Sequence, residues 1–141
     1  MMAVEGGMMM TRRVIAAVDD MLFASKIRAT AEHLNVDVRF ARSVDSLLNA
    51  VREGETALIV VDLHSQKIDP IALAKLIKAD EKLHAIPLLG FFSHVHAELH
   101  REAMHAGYDT VIPRSVFSRD LGKILAGSEG DESERSQDAA V

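Results

Sequence analysis

Five short apolar runs rich in β-branched residues, separated by segments of helical periodicity, constrain the fold of this chain more than any other feature. The first, third and fourth runs are apolar almost throughout, which is the pattern of central strands covered on both faces of a parallel sheet. The second run alternates apolar and charged residues, as expected of an edge strand with one wetter face. The runs cover residues 14–18, 36–40, 57–61, 87–92 and 109–112.

A helical pattern follows each run, with apolar residues recurring every three or four positions. Ser43 is expected to cap the second helix, and Asp69 with Pro70 to open the third. Val95 is expected on the apolar stripe of the fourth helix, and Ser115 at the N-cap of the fifth. The residues that predict helix ends are Asn35, Gly54, Gly107 and Gly127.

The order of strand and helix, repeated five times, predicts an α/β fold. Such alternation demands right-handed crossovers and a parallel sheet with helices on both faces. Five units in about 117 residues fit a flavodoxin-like (βα)5 doubly wound parallel sheet of three layers, with strand order 2-1-3-4-5. A closed eight-stranded barrel would need roughly twice this length.

The formal net charge of −5 is concentrated at the two ends of the chain. Residues 128–141 hold five acidic residues against one arginine, and residues 1–10 hold one glutamate, so the body between them is neutral. The tail is also rich in serine and poor in residues that could be buried. The sequence therefore predicts a flexible segment at 1–10, a folded domain at 11–127 and a disordered acidic tail at 128–141.

Composition excludes several classes of protein. The chain has no cysteine, which excludes disulfides, thiolate-bound zinc and thiol catalysis. No apolar stretch approaches the roughly 20 residues of a membrane span, and the neutral body lacks the basic surface of a nucleic-acid-binding protein. We expect a cytoplasmic protein with neither membrane nor nucleic acid as its partner. Nucleotide-binding glycine motifs and a nucleophile elbow are absent, so we do not expect an enzyme. A small flavodoxin-fold enzyme or cofactor binder remains a less favoured alternative to the two functions described below.

Three aspartates follow the first and third runs. Asp19 and Asp20 come after Val18, and Asp62 comes after Val61. Sites in open α/β sheets form beyond the carboxyl ends of the strands, at the switch point between strands 1 and 3. Clustered carboxylates repel one another unless a cation or protons intervene, and Mg²⁺ favours carboxylate oxygens, a backbone carbonyl and water. A carboxylate screened by Mg²⁺ can attack a phosphoryl group to form an acyl phosphate.

With Pro87 opening the fourth run and Ala106 and Gly107 preceding the fifth, these aspartates make residues 11–127 resemble a response-regulator receiver domain, like that of chemotaxis regulators. The resemblance implies that Asp62 is the phosphoacceptor of a stand-alone signalling domain of the two-component type, acting by protein–protein contacts. A histidine kinase or phosphotransfer protein would be the phosphoryl donor. The Mg²⁺ ligands implied by the resemblance are Asp19, Asp20, Asp62 and, through its backbone carbonyl, His64.

The switch half of the site departs from the receiver pattern. Receivers carry Thr or Ser at the end of strand 4, where the spacing here places Phe92, with Ser93 as the candidate substitute for the hydroxyl. Receivers also carry a Lys followed by a Pro after strand 5. In this chain Arg114 occupies the position of the Lys, and the proline, Pro113, comes before it. Arg114 would replace the Lys, and the exchange is not conservative because guanidinium is planar and bidentate. Val111 takes the place of the aromatic switch residue in strand 5.

These departures leave an alternative function open, that of a pseudo-receiver. Such an interaction module would use the same fold without regulation by phosphorylation. Arg114 would then form a surface ion pair with one of the acids of the site, in place of contacting a phosphoryl group.

Five histidines lie near the predicted site. His96 and His100 are four residues apart, a spacing that can chelate a metal on one helix face, but no third ligand is evident. We therefore expect an exposed polar face on the fourth helix and not a metal centre. The five histidines are His64, His94, His96, His100 and His105.

Overall fold

The computed structural model describes residues 11–127 as five strands and six helices. The predictions for residues 1–10 and 128–141 lie outside the described residues. The strands are β1 (Arg13–Ala17), β2 (Asp37–Phe40), β3 (Leu58–Asp62), β4 (Leu88–Phe92) and β5 (Thr110–Pro113). The helices are α1 (Met21–Leu34), α2 (Val44–Arg52), α3 (Pro70–Ala79), α4 (Ala97–Ala106), α5 (Arg114–Arg119) and α6 (Leu121–Ala126).

All five strands pair in parallel in the order β2-β1-β3-β4-β5. This confirms the predicted doubly wound sheet, and each strand begins and ends within one residue of its apolar run. The carboxyl ends of β1, β3, β4 and β5 therefore lie along one edge of the sheet, where the predicted site residues follow. Among residues 11–127, no helix is long and apolar enough to cross a membrane.

The sheet separates two cores, which gives the predicted three layers. Ile15 and Ala17 of β1 pack with α2, α3 and α4 on one face. Val14 and Ala16 of the same strand pack with α1, α5 and α6 on the other. Because side chains of a strand alternate between faces, every central strand must be apolar on both, and this is why the runs are nearly unbroken.

Most predicted helix ends are confirmed. Asp69 accepts the N–H groups of Ile71 and Ala72 at the start of α3. Ser43 caps α2 by accepting the N–H of Ser46 at 3.0 Å. Asn35 ends α1 in the left-handed conformation, with φ of 59°.

Three predicted helix features are wrong. Val95 lies before α4 and is 92% exposed, because His96 caps the helix one residue later through its own ring nitrogen. Ser115 lies inside α5, because the extended Pro113 lets the helix begin directly at Arg114. The single last helix expected from the sequence is also divided, since Asp120 leaves helical geometry between α5 and α6.

Candidate functional site at the carboxyl edge of the sheet

Asp62 is the last residue of the central strand β3 and is partly buried. Burial raises the pKa of its carboxyl group; the His64 N–H, 2.9 Å from Oδ1, lowers it, and the nearby Asp19 carboxylate raises it again. Within residues 11–127, no hydrogen-bond donor contacts Oδ2. The Oδ2 of Asp62 is therefore not held by a protein donor in this part of the chain.

Asp19, just beyond β1, is bound on both oxygens by the loop that follows β3. Oδ1 accepts the Ser65 hydroxyl at 2.8 Å, and Oδ2 accepts the N–H of Gln66 at 2.7 Å. The Ser65 Oγ in turn accepts the N–H groups of Lys67 and Ile68. Ser65 thus fixes the loop beside Asp62, a role that the sequence analysis missed; its only signal was a serine three residues after that aspartate.

Asp20 serves two structural partners. Its Oδ1 caps α1 by accepting the N–H groups of Leu22 and Phe23, and its Oδ2 lies 3.0 Å from a terminal nitrogen of Arg114. The Phe23 N–H first, and then the Arg114 guanidinium, hold the pKa of Asp20 below its usual value. Arg114 therefore forms an ion pair with Asp20. This is the arrangement expected of a pseudo-receiver, in which Arg114 pairs with an acid of the site and does not contact a phosphoryl group.

The donor chemistry of the predicted magnesium site suits Mg²⁺. Asp19, Asp20, Asp62 and the His64 carbonyl supply only oxygen ligands, the type that this hard cation prefers. Each carboxylate has a different protein donor, however, and among residues 11–127 no three Asp, Glu or His side chains are arranged to hold a metal ion. A cation at this edge that used the Oδ2 of Asp20 would have to replace Arg114 there.

Ser93 directly follows β4 at the carboxyl edge of the sheet. Ser93 is exposed, and no hydrogen bond joins its hydroxyl to another residue of the described chain. Phe92, at the end of β4, is partly buried, with its ring 6.0 Å from that of His100. These residues line a groove of about 300 Å³ together with residues of α4 and of the start of α5, Arg114 among them.

The five histidines differ in exposure. His94, His96, His100 and His105 are exposed, as expected of a polar face. His96 uses its Nδ1 to accept the Leu99 N–H, so this nitrogen is committed to capping α4. His64 packs its ring 5.2 Å from that of His94, and its Nε2 is buried with no hydrogen-bond partner among the described residues.

Comparison with known proteins gives a clear likeness in structure only. No protein-family model and no curated protein matches the sequence. A response regulator from Hahella chejuensis is 16% identical with a TM-score of 0.73, over 82% of this chain and 93% of that one. A CheY-like receiver domain protein from Methanospirillum hungatei is 15% identical with a TM-score of 0.71, over 89% and 98%.

A third solved structure is the phosphorylated cyanobacterial phytochrome response regulator RcpA. It is 19% identical, with a TM-score of 0.70, over 86% of this chain and 93% of that one. Each of the three likenesses covers more than four fifths of this chain and more than nine tenths of the other chain. The chain therefore has the flavodoxin-like fold of response-regulator receiver domains.

Proposed function

We propose that this chain is a two-component signalling receiver that acts through protein–protein contacts and not as an enzyme, with Asp62 as its phosphoacceptor. The observation that carries the proposal is the position of Asp62: it ends the central strand, lies beside Asp19, and presents an oxygen without a donor among the described residues. A histidine kinase or phosphotransfer protein is the proposed donor. The fold shared with response regulators supports this role.

The proposed reaction is a phosphoryl transfer to a carboxylate. An oxygen of Asp62 forms a bond to phosphorus while the P–N bond of a phosphohistidine, or the P–O bond of a small phosphodonor, breaks. The electron pair of that bond leaves with the donor group, and the product is an aspartyl phosphate. Asp19, Asp20 and the His64 carbonyl would hold Mg²⁺, which would offset the negative charge brought together at this edge.

The test is incubation with acetyl phosphate and Mg²⁺, followed by intact-mass measurement. We expect the wild-type protein to gain the mass of one phosphoryl group and Asp62→Asn to gain none. Asp45→Asn, an exposed aspartate in the first turn of α2, is the matched control and should gain the same mass as wild type. An unmodified wild-type protein, or an adduct that persists in Asp62→Asn, contradicts the proposal.

A pseudo-receiver is the second candidate, and one observation favours it. The two groups expected to contact a phosphoryl oxygen are both directed elsewhere: Ser93 to solvent and Arg114 to Asp20. Such a module would bind its partner through the same fold whether or not phosphodonor is present. The same mass measurement separates the two, because this candidate requires a folded wild-type protein that acquires no phosphoryl group.

A further inference from the structure

Arg114 lies above a cluster of three buried aromatic rings. Its Cζ is 4.1 Å from the centroid of Phe23, on α1. Phe23 makes edge contacts with Phe91 of β4 at 5.5 Å and with Phe117 of α5 at 5.8 Å, and those two rings stack at 5.0 Å. Phe91 pairs in register with Asp62. The cluster therefore connects the acidic edge with α5.

The guanidinium of Arg114 makes two contacts that a single displacement would break together. One is the ion pair with Asp20, and the other is the stack on Phe23. Both are worth a modest free energy at a partly exposed site, so a competing cation can displace them. Arg114 is also the first residue of α5, whose N-cap Pro113 provides no side-chain hydrogen bond.

We propose that Arg114 is the internal counter-ion of Asp20 and competes with a divalent cation for that carboxylate. Cation binding at Asp20 repels the guanidinium, frees it from Phe23 and alters the packing of Phe117 on α5. Binding of a cation at the acidic edge is thereby coupled to the position of α5. The stack of Arg114 on Phe23 carries this coupling, in a chain that has Phe92 and Val111 at the positions of the receiver hydroxyl and aromatic switch residue. The inference rests on the magnesium site of the proposed function.

The coupling predicts a specific change in cation affinity. Arg114→Gln removes the competitor, so we expect its Mg²⁺ dissociation constant, measured by calorimetry, to be about five- to tenfold lower than that of wild type. Phe23→Leu keeps the ion pair but removes the stack, and should give a smaller change in the same direction. Arg28→Gln is the matched control: Arg28 stacks on Phe40 at 4.7 Å and should leave the constant within about twofold.

Nuclear magnetic resonance during the same Mg²⁺ titration provides a readout that does not depend on affinity. The Nε–H signal of Arg114 and the ring signals of Phe23 and Phe117 should shift together in wild type, while the Arg28 signal does not. Equal Mg²⁺ affinity in wild type and Arg114→Gln overturns the inference. So does an Arg114 signal unchanged at saturation, or the absence of Mg²⁺ binding in both proteins.

Failure of this inference and failure of the proposed function give different results. A protein that shows the linked Mg²⁺ response but takes no phosphoryl group supports the inference and contradicts Asp62 as phosphoacceptor. A protein that is phosphorylated at Asp62 while wild type and Arg114→Gln bind Mg²⁺ equally supports the function and overturns the inference.

Discussion

The ends of β1 and β3 and the ends of β4 and β5 lie on the same edge of one sheet but are built from different interactions. The first region is polar: Asp19 and Asp20 accept five hydrogen bonds from the protein's own N–H and O–H groups, and Asp62 accepts one more. The second is aromatic, with Phe91 in the buried core and Phe92 lining a groove. The aspartates that would accept a phosphoryl group and the aromatic residues that would respond to it therefore lie on different strands, and each set can be substituted without changing the other.

The largest expected effect lies in the aromatic region. Phe91→Ala should lower the free energy of unfolding by about 3–5 kcal/mol, because Phe91 is 1% exposed and packs against two further rings. Phe92→Ala, the next residue, is only partly buried and should cost clearly less. Urea unfolding measures both. A Phe91→Ala protein as stable as Phe92→Ala would break the distinction between core and groove.

The next effect lies where the two regions meet. A Cβ at Gly90 of β4 would lie 2.8 Å from Cδ2 of the buried Leu63, so Gly90→Ala should destabilise the protein by about 1–3 kcal/mol through overpacking. Gly122→Ala is the control, because its Cβ would find only an ordinary contact at 3.9 Å. Thermal unfolding compares the two, and equal melting temperatures would show that β4 does not approach Leu63 this closely.

In the acidic region, substitution of Asp62 should raise the stability of the protein, whereas the substitutions in β4 lower it. Burial raises the pKa of Asp62 in the folded protein, so the folded state loses stability as the pH rises from the unfolded value to that raised pKa. Asp62→Asn should therefore stabilise the protein at pH 7, by less than about 1 kcal/mol because solvent screens this partly exposed carboxylate, and the gain should vanish below the pKa of the unfolded aspartate. Urea unfolding at acid and neutral pH tests this, and a loss of stability at pH 7 contradicts it.

The smallest effect is expected at Ser93. Its hydroxyl is exposed and bonded to no residue of the described chain, so Ser93→Ala should change the unfolding free energy by less than about 0.5 kcal/mol. It should also leave the yield and lifetime of any phosphoadduct unchanged. A markedly shorter lifetime would mean that the serine turns inward in the modified protein, and would weaken the contrast between the two regions.

The sequence was sufficient to predict the sheet, because its central strands are buried on both faces and must be apolar at every position. It was also sufficient to place Asp62, which follows directly from the end of β3. Helix starts were less predictable: Ser115 is a favoured cap residue that α5 does not use, whereas α4 is capped by His96, which is not a residue type that predicts a helix start.

The contacts of Arg114 could not be predicted in detail for another physical reason. Its partners Asp20 and Phe23 lie more than 90 residues earlier, and only the packing of α1 against α5 brings them together. Charge alone indicated an ion pair with an acid of the site, but not which acid. The stack on Phe23 has no sequence signal at all, because an aromatic residue on the buried face of a helix is ordinary.

The central claim is that the acidic region accepts a phosphoryl group at Asp62, and locating the modified residue tests it most directly. Protein treated with acetyl phosphate and Mg²⁺ is reduced with borohydride, which converts an aspartyl phosphate to homoserine, and is then mapped by peptide mass spectrometry. We predict homoserine at position 62 and at no other aspartate. Homoserine at Asp19 or Asp20, or an unmodified residue 62 in folded protein, would contradict the account.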